Sequence, residues 1–187
     1  MVWVNYGISG GMITDNHSHC IMNSIDTIYQ QMPELDYLIL EGGTNDADIL
    51  QLAGIGTLTQ NDYTSTFDTS TFTGALETLF RKALTYYPTT KIGYIIAQKM
   101  GMTNNANLAV RYSYFERAME VCKKWGIPYI NLWDESPLNP NLPSMYDSSL
   151  DATGNIEANK LYVDGQHLTS TGYDIITAKI EAWMKTL

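Results

Sequence analysis

The sequence predicts an α/β protein with a parallel sheet, and two observations carry that prediction. Short apolar runs at residues 38–40, 92–96 and 127–132 have the pattern of strands that are buried on both faces. Stretches with helical spacing of apolar residues follow each of them. Because parallel strands are joined by crossovers that are usually helices, this alternation favours one parallel sheet with helices packed on it. The chain shows no repeat or change in composition, so we expect a single domain over residues 1–187.

The first quarter of the chain is predicted to contain two strands and one helix. Residues 2–4 form a short apolar run that indicates a strand, and a glycine-rich turn follows at residues 7–11. Apolar residues at helical spacing indicate a helix over residues 21–32, which Pro33 ends. The strand at residues 38–40 comes next and leads directly into a turn that contains two glycines.

The middle of the chain alternates again between loop, helix and strand. Residues 47–71 are mostly polar, and we expect a solvated loop there. Apolar spacing over residues 72–83 predicts a helix that ends before Pro88. The strand at residues 92–96 is followed by a loop at 98–107, which should lie at the carboxyl end of the sheet and form a wall of a substrate site.

The last third is predicted to hold two helices, one strand and a long irregular stretch. A helix over residues 108–122 is followed by Gly126, at the position where glycine commonly follows a helix end. Pro128, near the start of the last strand, favours an edge of the sheet. Residues 133–162 contain three prolines and should be irregular. A pattern like a capping box predicts that the closing helix begins at Thr171.

Composition and charge exclude several kinds of partner. The formal net charge is −9 and no cluster of Lys or Arg is present, so we expect no nucleic-acid partner. No apolar stretch approaches the ~20 residues that span a membrane. The chain shows no signal-peptide pattern, and its compartment stays open. Cys20 and Cys122 lie in helical patterns, which favours buried free thiols over a disulfide. His17 and His19 have no cysteine partners, so a solvated helix start is favoured there over a metal site.

Polar side chains follow the strand at residues 38–40, in the sequence Gly42-Gly43-Thr44-Asn45-Asp46. In open α/β sheets, ligands bind at the carboxyl ends of strands. The side-chain amide of Asn45 is suited there to donate to a developing oxyanion. The alternative is that these residues only make a tight turn, for which Gly, Asn and Asp are the usual choice. This stretch alone does not separate the two interpretations.

A second polar stretch, Asp164-Gly165-Gln166-His167, precedes the closing helix. An aspartate can orient an imidazole, and histidine can act as a general base. Such a pair is weak by itself, because Asp and His three residues apart are common in ordinary loops. Together with the Asn45 turn it points to a catalytic site, since both stretches are expected at the carboxyl end of one sheet.

Three stretches, in order along the chain, resemble conserved blocks of the SGNH (GDSL-type) hydrolases, the lipase-acylhydrolase family. Residues 5–10 are similar to the second block, residues 43–46 to the third and residues 164–167 to the fifth. In the second block the last glycine, here Gly10, donates a backbone N–H to the oxyanion hole. The resemblance implies a three-layer α/β/α fold with a flavodoxin-like parallel sheet.

The resemblance also implies the chemistry of a serine ester hydrolase that needs no metal and no organic cofactor. His167 would be the general base, and Asp164 would hold its imidazole in the reactive tautomer. The Asn45 amide and the backbone N–H of the last glycine in the second block would bind the oxyanion. Gly43 and Asp46 would support the turn. The substrates would be carbohydrate-linked or other small acyl esters.

One block of the family is missing. Gly-Asp-Ser, which carries the nucleophilic serine, occurs nowhere in residues 1–187. Its strand would lie between those at residues 2–4 and 38–40, so the sheet is predicted to lack that strand. We favour a nucleophile segment upstream of this chain. The alternatives are a relative that rearranged its sheet and lost catalysis, and a site that a segment of a partner chain completes.

Ser9 is the one serine placed to imitate a nucleophile, because residues 7–11 match the G-x-S-x-G elbow of α/β-hydrolases. That fold needs several strands before the elbow, so we expect Ser9 to be structural.

Two functions therefore remain. The first is an esterase or acylhydrolase whose nucleophile lies outside this chain. Residues 1–187 by themselves would then be inactive. The alternative is a non-catalytic module that binds a glycan or a protein. Trp133 and Tyr146, in the long irregular stretch, are candidates for substrate contact, with packing on the core as the alternative.

Overall fold

A computed structural model shows three parallel strands that form one sheet. It describes residues 3–16, 18–47, 53–101, 108–153 and 160–187, so His17 and most of the loop predicted at 98–107 lie outside the described residues. The strands lie side by side in the order β1 (Tyr37–Glu41), β2 (Lys91–Ile96) and β3 (Tyr129–Asn131). Each strand coincides with an apolar run that predicted it, so the α/β class with a parallel sheet is confirmed.

Helices cover both faces of this sheet. The helical segments of the described chain are α1 (Ile21–Gln31), α2 (Phe72–Tyr86), α3 (Leu108–Trp125), α4 (Leu132–Glu135), a 3-10 helix (Ser148–Thr153) and α5 (Ser170–Met184). Alternate side chains of β2 enter two separate cores. Ile92, Tyr94 and Ile96 pack with α1, α2 and α3, whereas Ile95 packs with α5. The molecule therefore has three layers, and none of its described helices is long and apolar enough to cross a membrane.

Local chemistry explains where two of the helices begin and where one ends. Thr71 begins α2, because its hydroxyl accepts the backbone N–H of Gly74. α3 ends before Gly126, which has a φ of +68°. The cap of α5 is Thr169, whose hydroxyl accepts the N–H of Gly172. The capping pattern at Thr171 therefore placed the start of α5 slightly too late.

Three elements differ from the sequence prediction, and one of them is the 3-10 helix Ser148–Thr153, which lies in the stretch that was expected to be irregular. Residues 3–8 have no regular structure, although a strand was predicted at residues 2–4. A strand exists only through bonds to a neighbouring strand, and in the described chain β1 pairs with β2 alone. The short helix α4 was missed because Asn131 ends β3 and at once caps α4, accepting the N–H of Asp134. Cys20 and Cys122 are buried free thiols, as predicted.

Candidate active site

His167 and Asp164 form a hydrogen-bonded pair. His167 Nδ1 lies 2.7 Å from Asp164 Oδ2. The other oxygen, Asp164 Oδ1, accepts the backbone N–H groups of His167, at 2.7 Å, and Gln166, at 2.9 Å. Gly165 makes this tight turn with a φ of +78°, a conformation that glycine adopts without a Cβ clash. One aspartate therefore holds both the turn and the imidazole.

The loop that carries this pair is anchored to the segment after β2. Gly101 N–H donates to the carbonyl of Gly165 at 2.7 Å, and the Gln98 amide donates to the carbonyl of Gln166 at 3.1 Å. Tyr162, which is fully buried, donates its hydroxyl to the carbonyl of Lys99. These bonds place His167 at the carboxyl end of β2.

The turn after β1 is held from inside the protein. Asp46 is completely buried, and its two carboxylate oxygens accept the N–H groups of Ile13, at 2.9 Å, and Thr14, at 3.0 Å. Gly43 has a φ of +99°, and a Cβ there would lie 3.1 Å from the ring of Phe72. Backbone conformation and close packing both require glycine at this position.

Asn45 connects this turn to the glycine-rich loop near the N-terminus. Its side-chain amide donates to the carbonyl of Gly11 at 2.9 Å. The amide nitrogen carries two hydrogens, so this bond occupies one donor and leaves a second donor for a ligand. Gly10, the other expected oxyanion donor, precedes Gly11 and lies exposed with a φ of +69°.

Both polar stretches lie at the carboxyl edge of the sheet. Asn45 follows β1, the loop of His167 is bonded to the residues that follow β2, and these two strands are neighbours. An imidazole whose Nδ1 faces a carboxylate presents Nε2 as its basic nitrogen. This end of the sheet therefore holds an imidazole paired with a carboxylate, together with N–H donors, and groups of these kinds can serve acyl transfer.

The two aromatic candidates for substrate contact lie differently. Trp133 is on α4, is 9% exposed, and packs against Phe115 and Tyr112. That placement favours the alternative interpretation, an aromatic residue packed on the core. Tyr146 is half-buried against the core beneath α5.

Two residues that hold the loop of Asp164 and His167 in place were not predicted from the sequence. The Arg111 guanidinium on α3 is buried and donates to the side chain of Gln166 at 3.1 Å. Gln98 contacts the backbone of that same residue. No local pattern marks such partners, because the residues are 55 and 68 positions apart along the chain.

Asp164 is expected to titrate below its ordinary pKa of 3.8. Burial raises the pKa of Asp164. Hydrogen bonds from the His167 ring and from the N–H groups of His167 and Gln166 lower this pKa by more than burial raises it. The ionised carboxylate therefore stabilises the folded turn above pH 3.8, and this contribution is lost as the pH falls through the lowered pKa. A titration followed by carboxyl NMR shifts measures this pKa directly.

The matched variant in that titration is His167→Ala, which removes the ring but keeps both backbone donors. We expect the Asp164 pKa to rise in this variant and to stay below its ordinary value. A midpoint at or above the ordinary value in the unaltered protein would contradict the hydrogen-bonded geometry.

Comparison with known proteins shows similarity in structure only. No protein-family model matches the chain, and no curated protein sequence matches it. Among solved structures, a protein from Lactobacillus plantarum has a TM-score of 0.74 at 21% identity, over 97% of this chain and 80% of its own.

Two further solved structures carry functional names. A "possible lipase" from Chitinophaga pinensis has a TM-score of 0.63 at 19% identity, over 89% of this chain and 77% of its own. A "putative GDSL-like lipase" from Bacteroides ovatus has a TM-score of 0.55 at 17% identity, over 95% of this chain and 69% of its own. The chain shares its fold with these proteins, and the fold that the three motifs implied is confirmed.

Proposed function

We propose that this chain carries the base and the oxyanion donors of an SGNH-type serine ester hydrolase. The observation that carries the proposal is the 2.7 Å contact between His167 Nδ1 and Asp164 Oδ2, at the sheet edge that also holds the Asn45 turn. The shared fold with structures named as a GDSL-like lipase and as a possible lipase supports the same class of reaction.

The nucleophile in this proposal is a serine supplied from outside residues 1–187. His167 Nε2 takes the proton of the serine hydroxyl as its oxygen attacks the ester carbonyl. The carbon–oxygen bond to the alcohol then breaks, and the imidazolium returns the proton to the leaving alcohol. Water, activated by the same nitrogen, hydrolyses the acyl-serine and releases the acid. Asp164 holds the ring and stabilises the imidazolium throughout.

The tetrahedral intermediate in each half of the reaction carries a negative oxygen. The second N–H of the Asn45 amide and the backbone N–H of Gly10 are the donors proposed for it. One such donor typically contributes about 3–4 kcal/mol to transition-state stabilisation. Asp46 acts through the position of this turn, since both its oxygens are occupied by backbone donors.

The openness of the site supports esters of bulky alcohols. The side chains of His167 and Asp164 are 65% and 47% exposed, so the alcohol part of a substrate can extend into solvent. A carbohydrate-linked acyl ester fits such a site, because only its small acyl group and the ester bond have to reach the catalytic groups.

A second candidate function rests on one observation, the absence of Gly-Asp-Ser from residues 1–187. Without a serine the same edge would be a binding surface for a glycan or a protein, with Asn45 and His167 as hydrogen-bonding groups. The reactivity of a serine in the natural protein distinguishes the two functions, because only the hydrolase needs a nucleophilic serine.

Labelling with a fluorophosphonate tests the proposed function. In the protein isolated from its source, we expect a covalent adduct on a serine outside residues 1–187, and its loss in His167→Ala. Ser9 lies exposed in the turn just before Gly10, on the segment assigned to the oxyanion hole. Ser9→Ala should therefore leave labelling and esterase activity within a few-fold.

Mass spectrometry of the labelled peptides gives the position of the adduct. An adduct on Ser9 would contradict the proposed assignment of the nucleophile. Protein that stays unlabelled at every serine, while retaining its fold, would favour the binding module.

A further inference from the structure

Residues 163–167 form a short closed loop, called here the His167 loop. The backbone N–H of Val163 donates to the carbonyl of His167 at 2.8 Å, and Tyr162 and Leu168 pair across the base of the loop as an antiparallel bridge. The imidazole that this loop carries is mostly exposed, so little packing restrains the ring. Its position, and the direction in which its Nε2 points, therefore depend on how the loop itself is held.

Gln166 is held at three points. Its backbone N–H donates to Asp164 Oδ1 at 2.9 Å, and its carbonyl accepts the side-chain amide of Gln98 at 3.1 Å. Its side-chain oxygen accepts a hydrogen bond from the Arg111 guanidinium, also at 3.1 Å. Since Gln166 comes directly before His167, a rotation of its backbone would move the imidazole away from Asp164.

Arg111 is the buried member of this arrangement. It lies on α3, is 5% exposed, and its Nη1 also contacts Met100 Sδ at 3.3 Å. A guanidinium has donors and no acceptor, so it selects the side-chain oxygen of Gln166 over its NH2 group. A hydrogen bond from a charged donor inside the protein is stronger than one between neutral groups. The bond to Arg111 therefore holds the side chain of Gln166 in one orientation.

Other bonds attach the loop to a different part of the protein. Gly101 donates to the carbonyl of Gly165, and Tyr162 donates to the carbonyl of Lys99, so both bonds reach the segment after β2. Neither bond involves residue 166 or 167. The side chain of Gln166 adds a link to α3, at the residue next to the imidazole.

We propose that Arg111 is a positioning residue for His167, which it holds against Asp164 through the side chain of Gln166. The proposal rests on the proposed function, because it names a residue that prepares the base of that reaction. The restraint keeps Nδ1 facing the carboxylate, so Nε2 remains the basic nitrogen and keeps its direction. Without it, the exposed imidazole would spend more time turned away from Asp164, where either ring nitrogen can carry the proton.

The tautomer of His167 reports this restraint without any chemistry. NMR shifts of the two ring nitrogens, measured in residues 1–187 at a pH where the imidazole is neutral, give the ratio of Nδ1–H to Nε2–H. Arg111→Met removes the donor and keeps an unbranched chain beside Met100. We expect this variant to lower the ratio by roughly threefold or more. Gln166→Met removes the acceptor of the same bond and should lower the ratio by a similar factor.

Two further variants show by which route Arg111 acts. Because each single substitution breaks the same bond, Arg111→Met combined with Gln166→Met should lower the ratio no further than either one alone. Arg117→Met is the matched control on the same helix. The Arg117 guanidinium donates to the carbonyl of Gly56 and to the hydroxyl of Thr73, outside the His167 loop. Its substitution should leave the ratio unchanged.

Kinetics of the enzyme of the proposed function, with its serine in place, give a second readout. Arg111→Met should lower kcat for p-nitrophenyl acetate by about 10- to 100-fold, because a small displacement of the base is costly, and KM should change little. Arg111→Lys keeps a charged donor and should recover part of the rate. Active sites are counted with a fluorophosphonate, so a loss of folded protein is not mistaken for a loss of kcat. A residue that only stabilised the fold would leave the tautomer ratio of the folded protein unchanged.

Three results would overturn the proposal. An unchanged ratio in both single variants would show that the imidazole does not depend on the bond between Arg111 and Gln166. A larger effect in the double variant than in either single one would show that Arg111 acts by another route. An equal effect of Arg117→Met would show a general loosening of α3. If Arg111→Met does not fold, Gln166→Met decides alone, because its side chain is only partly buried.

Failure of this proposal and failure of the proposed function are distinguishable, because the tautomer ratio needs neither a serine nor a substrate. A ratio that responds as expected, in a natural protein whose serines do not react, would keep the restraint on His167 and exclude the hydrolase. A reactive serine together with an unchanged ratio would do the reverse.

Discussion

Residues 1–187 are expected to hydrolyse p-nitrophenyl acetate no faster than their His167→Ala variant. In the proposed function, residues 1–187 hold the base and two oxyanion donors, whereas the nucleophile and its own N–H lie outside them. Enzymes that lose a triad member keep only about 10³–10⁴-fold acceleration over water. Donors that lack a neighbouring strand are also displaced more easily, and an error near 1 Å costs about 10²-fold. Little turnover should therefore remain above background.

The enzyme of the proposed function, with its serine in place, should behave in the opposite way. There His167→Ala is expected to lower kcat by roughly 10⁴-fold or more, because the substitution removes the proposed acceptor of the serine proton. His19→Ala is the matched control, since it removes another exposed imidazole that can attack the reagent directly. His19→Ala should change the rate of hydrolysis little, both in residues 1–187 and in the protein that carries the serine.

Initial rates with p-nitrophenyl acetate, on samples of verified intact mass, measure both expectations. Robust turnover that depends on His167, from a sample whose mass matches residues 1–187, would place the nucleophile within this chain.

Asp46→Ala is expected to lower the free energy of unfolding by about 2–5 kcal/mol. The substitution leaves the N–H groups of Ile13 and Thr14 buried without their acceptors, and each such group costs about 1–3 kcal/mol. The side chain is completely buried, so water does not replace the lost bonds. Urea unfolding, followed by circular dichroism, gives the difference directly.

Asp62→Ala is the matched control for this measurement. Its carboxylate also accepts two backbone N–H groups, those of Thr64 and Ser65, but these bonds are at the surface. Water can satisfy the donors there, so the loss should be much smaller. Equal losses in the two variants would show that burial does not determine the importance of Asp46.

Much of the fold was predictable because its signals are local. The apolar runs that became β1 and β2, and the helical spacing that became α2 and α3, depend on burial patterns a few residues long. The same holds for the Asp164–His167 pair, which are three positions apart and make their contact within one turn. Errors arose where a neighbouring strand decides the structure. Residues 3–8 include an apolar run that resembles a strand, but in the part of the chain that the structure describes no strand pairs with them.

The sequence by itself determined the class of fold, the order of the three strands with α1, α2, α3 and α5, and the pairing of Asp164 with His167 in one turn. Only the tertiary structure decided that Asp46 is a buried anchor for the loop at Ile13 and Thr14 and that Trp133 belongs to the core. These facts depend on contacts between residues far apart in the chain. Hydrogen bonds and burial across such distances arise only when separate segments fold together, so no local pattern encodes them.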